Sequence, residues 1–305
     1  MKSMTKAGVL CSAAIAGTVA AVAFTLRAET PAPTPPPPPP MAFVTTPYTT
    51  SSPEQLMDIY TPKEAAGALP AVVYIHGGGW AAGSRSHQDG PADHFTKQGY
   101  VFCSIDYRFS DVAKYPAQIQ DSKCAIRFLR ANAAKYHIDP KRIGVWGDSA
   151  GGHLVALLGL TPKVKRLEGD GGWQKQSSAV AAVVDWYGPS DIRPEGLGVY
   201  TNPAGVDLIT KLLGDPSNAQ LAADASPITF VTKDAAPMLI MHGDKDSLVP
   251  VSQSQKLYDA LRAGGADVTL KILPGADHGG PQFVEPENVA LIDAFFARTL
   301  KPGKK

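Results

Sequence analysis

Residues 144–153 read GVWGDSAGGH. A strand-like run, Arg142 to Trp146, breaks abruptly into Gly147-Asp148-Ser149-Ala150-Gly151, and the next residues, AGGHLVALLGL, are helix-like. A serine between two glycines at a strand-to-helix junction has two readings. Small residues can simply let strand and helix pack through a tight turn. Alternatively the pentad is a nucleophile elbow, G-x-S-x-G, whose sharp turn lifts the serine hydroxyl above a sheet. The pentad alone does not decide between them. A base, an acid and an oxyanion hole elsewhere in the chain, in the right order, would.

A serine hydroxyl is a weak nucleophile near neutral pH and needs a base. Of seven histidines, His278 stands out. It lies in LPGADHGGPQF, just after the last strand-like run, in a Gly- and Pro-marked loop. His137 falls on the opposite edge of the expected sheet. His87 and His94 read as surface loop or helix residues. His153 lies inside the helix after the serine, packed or hydrogen-bonded. His242 ends a strand and reads as structural, and His76 reads as a brace for its loop. The base needs an acid to fix its tautomer and stabilise the imidazolium. HGDKDSLVP offers two: Asp246, further along its loop, and Asp244, which also suits a turn or cap. The order Ser149, Asp246, His278, with separations of 97 and 32 residues, is Ser…Asp…His. The fourth element is YIHGGGWAAGS, three glycines directly after a strand. Glycines let backbone N–H groups converge without side-chain obstruction, and Gly78 and Gly79 would act with the N–H of Ala150 on a developing oxyanion. A phosphate cradle is the competing reading, and the missing Lys-Ser/Thr pair weighs against it.

Working outward, the chain alternates. AVVYIHGGG, YVFCSIDYR, RIGVWGDS, AVAAVVDWYG, PMLIMHGD and DVTLKILPG are short apolar runs bounded by Gly, Pro and Asp, as buried parallel strands require. Between them, Ile119, Ser122, Ile126, Leu129 and Ala133 recur at helical spacing. So do Leu257, Ala260 and Leu261, and then Val289, Ile292 and Phe296, with Pro286 placed to open that last helix. The alternation implies one α/β domain over residues 41–305 with a mostly parallel sheet. Residues 161–178 and 187–236 break the pattern and are expected to shape a substrate pocket as loops at the C-terminal edges of strands. Trp173, Tyr187 and Tyr200 of these segments, Trp186 at the border of the second, and Trp80 beside the glycine loop are the candidate pocket residues. GVDLITKLLG is the one good helical piece there, too short for a broad apolar lid.

Composition narrows the function classes. The chain has 305 residues, 44% hydrophobic and 19% charged, with a net charge of +1. Lys2, Lys6, Arg27 and Glu29 give residues 1–40 a balance of +2, which leaves the rest near −1. No basic field for nucleic acid exists. Lys2 and Lys6 precede an apolar stretch, Ala7 to Leu26, which reads as a signal peptide over residues 1–28, cleaved near Ala28. The same stretch is long enough to serve as a membrane tether through residues 7–26 if retained. The remaining linker, residues 29–40, contains PAPTPPPPPP and is an extended polyproline spacer or a linker lost with the signal. An exported protein, periplasmic or secreted, is the expectation. Cys11 lies early in the apolar run behind bulky Val9 and Leu10, which does not match a lipidation site. Cys103 and Cys124 sit in strand and helix patterns, which favours free buried thiols over a disulfide. No metal-ligand spacing occurs.

With these residues assembled, the chain resembles the α/β-hydrolase superfamily. More closely it is similar to the HGGG-type, hormone-sensitive-lipase-like carboxylesterases, and within them to bacterial feruloyl/acetyl-xylan esterase-like proteins. The resemblance is carried by LMDIYTP, VVYIHGGGW, YPAQIQDSKCAIRFLRANAAKYHIDPKRIGVWGDSAGGHL, HGDKDSLVP and GADHGGPQF, which span most of residues 54–300. It implies an α/β-hydrolase fold, with a mostly parallel central sheet, helices on both faces and a small loop-rich cap. It implies catalytic roles for Ser149, Asp246 and His278 and oxyanion roles for Gly78, Gly79 and Ala150. The expected activity is hydrolysis of small-molecule or carbohydrate-linked acetyl or feruloyl esters, with no metal or organic cofactor. A serine peptidase or amidase of the same fold, or a non-catalytic hydrolase-like binding module, are the alternatives.

Overall fold

The computed structural model describes residues 43–50 and 55–301, apart from residues 66, 87, 199 and 216. The expected signal, tether and linker, residues 1–40, lie outside the described residues. Among the described residues no helix is long and apolar enough to cross a membrane.

Eight strands form one sheet: β1 (Val44–Pro47), β2 (Leu56–Tyr60), β3 (Leu69–Ile75), β4 (Val101–Ile105), β5 (Ile138–Asp148), β6 (Ala182–Trp186), β7 (Met238–Gly243) and β8 (Val268–Leu273). Their order is β1-β2-β4-β3-β5-β6-β7-β8. From β4 to β8 every pairing is parallel, and β1 and β2 pair antiparallel at one edge. The helices are α1 (Asp89–Lys97), α2 (Ala117–Ala131), α3 (Ala150–Leu160), α4 (Pro194–Leu197), α5 (Pro203–Leu213), α6 (Ala219–Asp224), α7 (Ser252–Ala263) and α8 (Pro286–Leu300).

The continuous apolar runs arise because both faces of the sheet are covered. Val73, Cys103, Val145, Val183 and Ile240 join one core with Ile126 of α2, Leu154 of α3 and Leu257 of α7. Their strand neighbours Val72, Phe102, Trp146, Val184 and Leu239 join the other, with Phe95 of α1 and Phe296 of α8. Successive side chains on a strand point to opposite faces, so each strand feeds two layers. Cys103 and Cys124 are buried free thiols.

Chain order reverses at β3. The chain steps from β3 to β4 on one side, then crosses back to β5 on the other. Such a switch point opens a crevice at the carboxyl ends of the two central strands. Ile75 pairs with Gly147, so the glycine loop after β3 and the serine turn after β5 leave the sheet side by side. Gly243 pairs with Leu273 in the same way, which juxtaposes the HGDKD loop and the His278 loop.

The structure corrects two expectations. First, six strands were legible and the described residues hold eight, the extra pair being β1 and β2. Second, residues 161–178 do not border the crevice. Helix α3 begins at the carboxyl edge and runs back across the sheet, so the segment after it, leading into β6, lies at the opposite edge. There Glu168 receives Lys123 Nζ at 2.8 Å and Arg127 Nη1 at 2.7 Å, an ion triple that ties the segment to α2. Trp173 donates its indole N–H to the Tyr48 carbonyl at 2.8 Å and packs edge-on against Phe128. It is part of this anchorage and takes no part in the crevice.

Candidate active site

The serine turn is strained in the way an elbow demands. Ser149 has φ 52° and ψ −115°, far from its helical neighbours, and such backbone costs of order 1–3 kcal/mol unless its surroundings enforce it. They do. A Cβ on Gly151 would overlap the Ile75 carbonyl oxygen, and one on Gly147 would overlap the Gly151 backbone. Only glycine lets β3, β5 and α3 approach this closely. The turn is pinned further by Ser149 N–H donating to Trp186 O at 2.8 Å. Asp148 links it to the neighbouring loop, since its Oδ1 accepts Tyr74 O–H at 2.6 Å and Gly77 N–H at 3.0 Å.

Ser149 Oγ lies 2.8 Å from His278 Nε2, and His278 Nδ1 lies 2.7 Å from Asp246 Oδ2. Three residues from three loops thus form one hydrogen-bonded line. The Asp246 side chain is fully buried. Its Oδ1 accepts the Leu248 and Val249 amides at 2.9 and 2.8 Å. Burial alone would raise its pKa. Hydrogen bonds from His242 and His278, the His278 charge and the Val249 amide reverse that and hold the carboxyl well below the usual carboxylate range. Asp244 serves a different purpose. Its Oδ1 accepts Gly275 N–H at 2.7 Å and fastens the β7 and β8 loops together.

Beside Ser149 lies a narrow cleft of about 20 Å³, lined by Gly79, Trp80, Ala150, Pro189, Tyr200, Leu208, Ile209 and Leu248. That is space for about one water-sized group. Leu208 and Ile209 belong to α5, so one wall of the cleft is helical. Gly79 and Ala150 both line the cleft with Ser149. Gly78 precedes them at φ 103°, and its carbonyl accepts Ala81 and Ala82 N–H, which closes the loop into a tight turn. His76 braces it from below, its ring stacked 4.5 Å from Tyr107 and its Nδ1 2.7 Å from Gly77 O.

The five expected pocket aromatics divide. Trp80 and Tyr200 line the cleft. Tyr187 does not; its ring backs the His278 imidazole at 4.6 Å and leans on Phe283 at 4.7 Å. Trp186 does not line the cleft either. It packs against Trp146 at 4.9 Å and lines a separate cavity of about 280 Å³ with Phe95 and Ile292. Tyr187 follows the last residue of β6 with φ 44°, and both rings join one apolar cluster around Phe283; Trp173 lies at the far edge as described. Sequence reasoning missed Pro189, Leu208, Ile209 and Leu248. It also took His242 for a merely structural residue, whereas its Nε2 lies 3.1 Å from Asp246 Oδ2.

His153 is read more fully from its partners. Trp80 Nε1–H can only donate, and it reaches His153 Nδ1 at 3.2 Å. The proton is therefore on Nε2, which donates to Ala225 O at 2.7 Å. Burial lowers the His153 pKa to about 4. The unfolded chain takes up this proton first as pH falls, so acid favours unfolding. The sign is thus a stability contribution present above about pH 6.5 and lost towards pH 4, worth about 3 kcal/mol at one unit per 1.36 kcal/mol. Denaturant unfolding from pH 7 to pH 4 is expected to show a flatter loss in His153→Asn, whose amide still accepts from Trp80, than in the parent. Identical slopes would contradict the assignment.

Among the described residues, no group of three or more His, Cys, Asp or Glu side chains could hold a metal ion.

A family profile described as BD-FAE matches residues 57–261. Esterase LipC of Mycobacterium tuberculosis is 35% identical over 233 residues, covering 74% of this chain and 57% of LipC. A truncated carbohydrate esterase from gut microbiota superposes with a TM-score of 0.77 at 35% identity, covering 86% of this chain and 97% of that one. Est2, an esterase of Thermogutta terrifontis solved with butyrate bound, superposes with a TM-score of 0.73 at 26% identity, covering 86% and 96%. The chain spans about half the length of LipC and of two further mycobacterial ester hydrolases it matches, LipM and LipQ, at 57%, 46% and 56%.

Proposed function

The chain belongs to the BD-FAE family, and from that premise we propose that it is a serine carboxylic ester hydrolase that works through an acyl-enzyme. The observation that carries the reading is the line from Ser149 Oγ to His278 at 2.8 Å and from His278 to Asp246 at 2.7 Å, set on a strained elbow. In this reading His278 Nε2 takes the Ser149 proton as Oγ attacks the ester carbonyl. The amides of Gly78, Gly79 and Ala150 receive the oxyanion, each donor worth roughly 3–4 kcal/mol in the transition state. His278 then protonates the leaving alcohol and later activates the water that frees the acyl group. Asp246 keeps the proton of neutral His278 on Nδ1 throughout.

We propose short acyl groups as the substrate class. The cleft beside Ser149 is small and closed by Leu208, Ile209 and Trp80, which supports acetyl to butyryl over longer chains. The likeness to a carbohydrate esterase supports a sugar-linked alcohol. Export, read from residues 1–40, belongs to the same proposal and gives access to such substrates.

Across p-nitrophenyl esters, kcat/KM for acetate to butyrate is expected to exceed that for decanoate by at least ~10-fold, because forcing extra methylenes into a filled site costs roughly 1–3 kcal/mol. No jump in rate is expected at an oil–water interface. A maximum at ten carbons, or interfacial activation, would contradict the reading of the cleft. Release of acetate from acetylated polysaccharide tests the sugar-linked alcohol separately.

A further inference from the structure

His242 closes β7, and its side chain is wholly buried. Its Nε2 lies 2.9 Å from Val249 O and 3.1 Å from Asp246 Oδ2. Both oxygens only accept, so Nε2 carries the proton. Its Nδ1 lies 2.7 Å from Ser254 Oγ, whose O–H therefore donates to it. The tautomer of His242 is fixed by its neighbours on both sides.

The consequence lies in which oxygen is shared. His278 Nδ1 reaches the same Oδ2 at 2.7 Å, while Oδ1 is occupied by the Leu248 and Val249 amides. We propose that His242 is a positioning residue: by donating to the oxygen that also holds His278, it sets how strongly Asp246 stabilises the His278 imidazolium. The inference rests on the ester-hydrolase reading above and extends it by one residue. A donor on a carboxylate lowers its basicity, so the His242 proton draws charge away from His278. Without it, Asp246 holds the imidazolium more tightly and His278 becomes a stronger base that is protonated at higher pH.

The other titratable groups facing this cluster are Asp185 of β6, Tyr187 just after it, Tyr200 beside the cleft and Asp277 beside His278. Burial lifts Asp185 to about 6, with the Gly188 amide and His242 opposing it. Because Asp185 can itself contribute to a pH–rate profile, the shift has to be read on His278 directly.

The test compares H242N and H242Q. An Asn amide reaches the position of Nδ1 and keeps Ser254 while giving up Asp246. A Gln amide reaches the position of Nε2 and keeps a donor on Asp246. The His278 titration is followed through its low-field Nδ1 proton, alongside the acid limb of kcat/KM for an aryl ester. H242N is expected to raise both by ~0.5–1 pH unit, as a charge-assisted hydrogen bond of this kind predicts, with H242Q within ~0.3 unit of the parent. Ser254→Ala, which leaves the His242 Nε2–H a weaker donor, is expected to shift them the same way by less, and serves if H242N does not fold. Loss of kcat with the His278 titration unmoved in both H242N and Ser254→Ala, or an equal shift in H242N and H242Q, would overturn the inference. Turnover by the parent that does not depend on Ser149 would instead overturn the ester-hydrolase reading, and the proton titration distinguishes the two failures.

Discussion

Ser149→Ala is expected to lower ester turnover by at least ~10⁴-fold while leaving the fold intact, because a serine nucleophile and its base act as a unit and removal of either forfeits nearly all their joint effect. The substitution removes one oxygen and one 2.8 Å hydrogen bond to His278. It does not touch Gly147 and Gly151, whose close packing against β3 fixes the turn. Residual turnover would come from the oxyanion amides and from binding alone. Circular dichroism and thermal unfolding should therefore match the parent while kcat falls. Turnover near that of the parent would end the nucleophile reading.

The second large effect is at Asp246. Every lone-pair direction of this carboxylate meets a donor: two backbone amides at Oδ1, and His278 and His242 at Oδ2. An amide in its place must turn an NH₂ against one of those pairs. If its oxygen faces the backbone amides, its NH₂ faces the imidazoles, and His278 can keep a partner only by moving its own proton to Nε2. That tautomer cannot accept from Ser149. Asp246→Asn is accordingly expected to cost about 10³–10⁴ in kcat. Asp244→Asn should cost less than ~3-fold, since an amide oxygen can still accept from Gly275 and no donor pair is disturbed. A larger loss at Asp244 than at Asp246 would reverse the assignment of the acid.

The central strands were legible because each is buried on both faces, so Val72 and Val73, or Phe102 and Cys103, are apolar regardless of which layer they enter. β1 and β2 were not, each for its own reason. β1 is a four-residue VTTP with mostly exposed side chains. β2 carries Asp58 in mid-strand, and that carboxylate is accommodated by Thr45 at 2.6 Å and Arg85 at 3.0 Å, partners distant in sequence. The placement of residues 161–178 is of another kind. Helix α3 starts at the carboxyl edge, so the segment after it belongs to the other edge, a geometric inference the sequence already contained. Trp186 and Tyr187 were treated as equivalent, but Trp186 ends β6 and packs on Trp146, while Tyr187 turns out of the strand at φ 44° and reaches His278. Ser149, Asp246 and His278 were found from motif order and loop position. The role of His242 was hidden because it depends on a three-dimensional approach to Asp246 Oδ2, and a histidine ending a strand is more often a packing residue.

The central claim, that Ser149 Oγ is the attacking atom, is tested most directly by reaction with a fluorophosphonate followed by peptide mass spectrometry. Such reagents trap an activated serine by forming an oxygen–phosphorus bond and expelling fluoride. The expected result is one adduct per chain, on the peptide containing Ser149, with esterase activity lost in proportion to labelling, and no labelling of Ser149→Ala. Esterase activity that persists in fully labelled protein, or an adduct on another residue that abolishes activity while Ser149 stays unmodified, would contradict it.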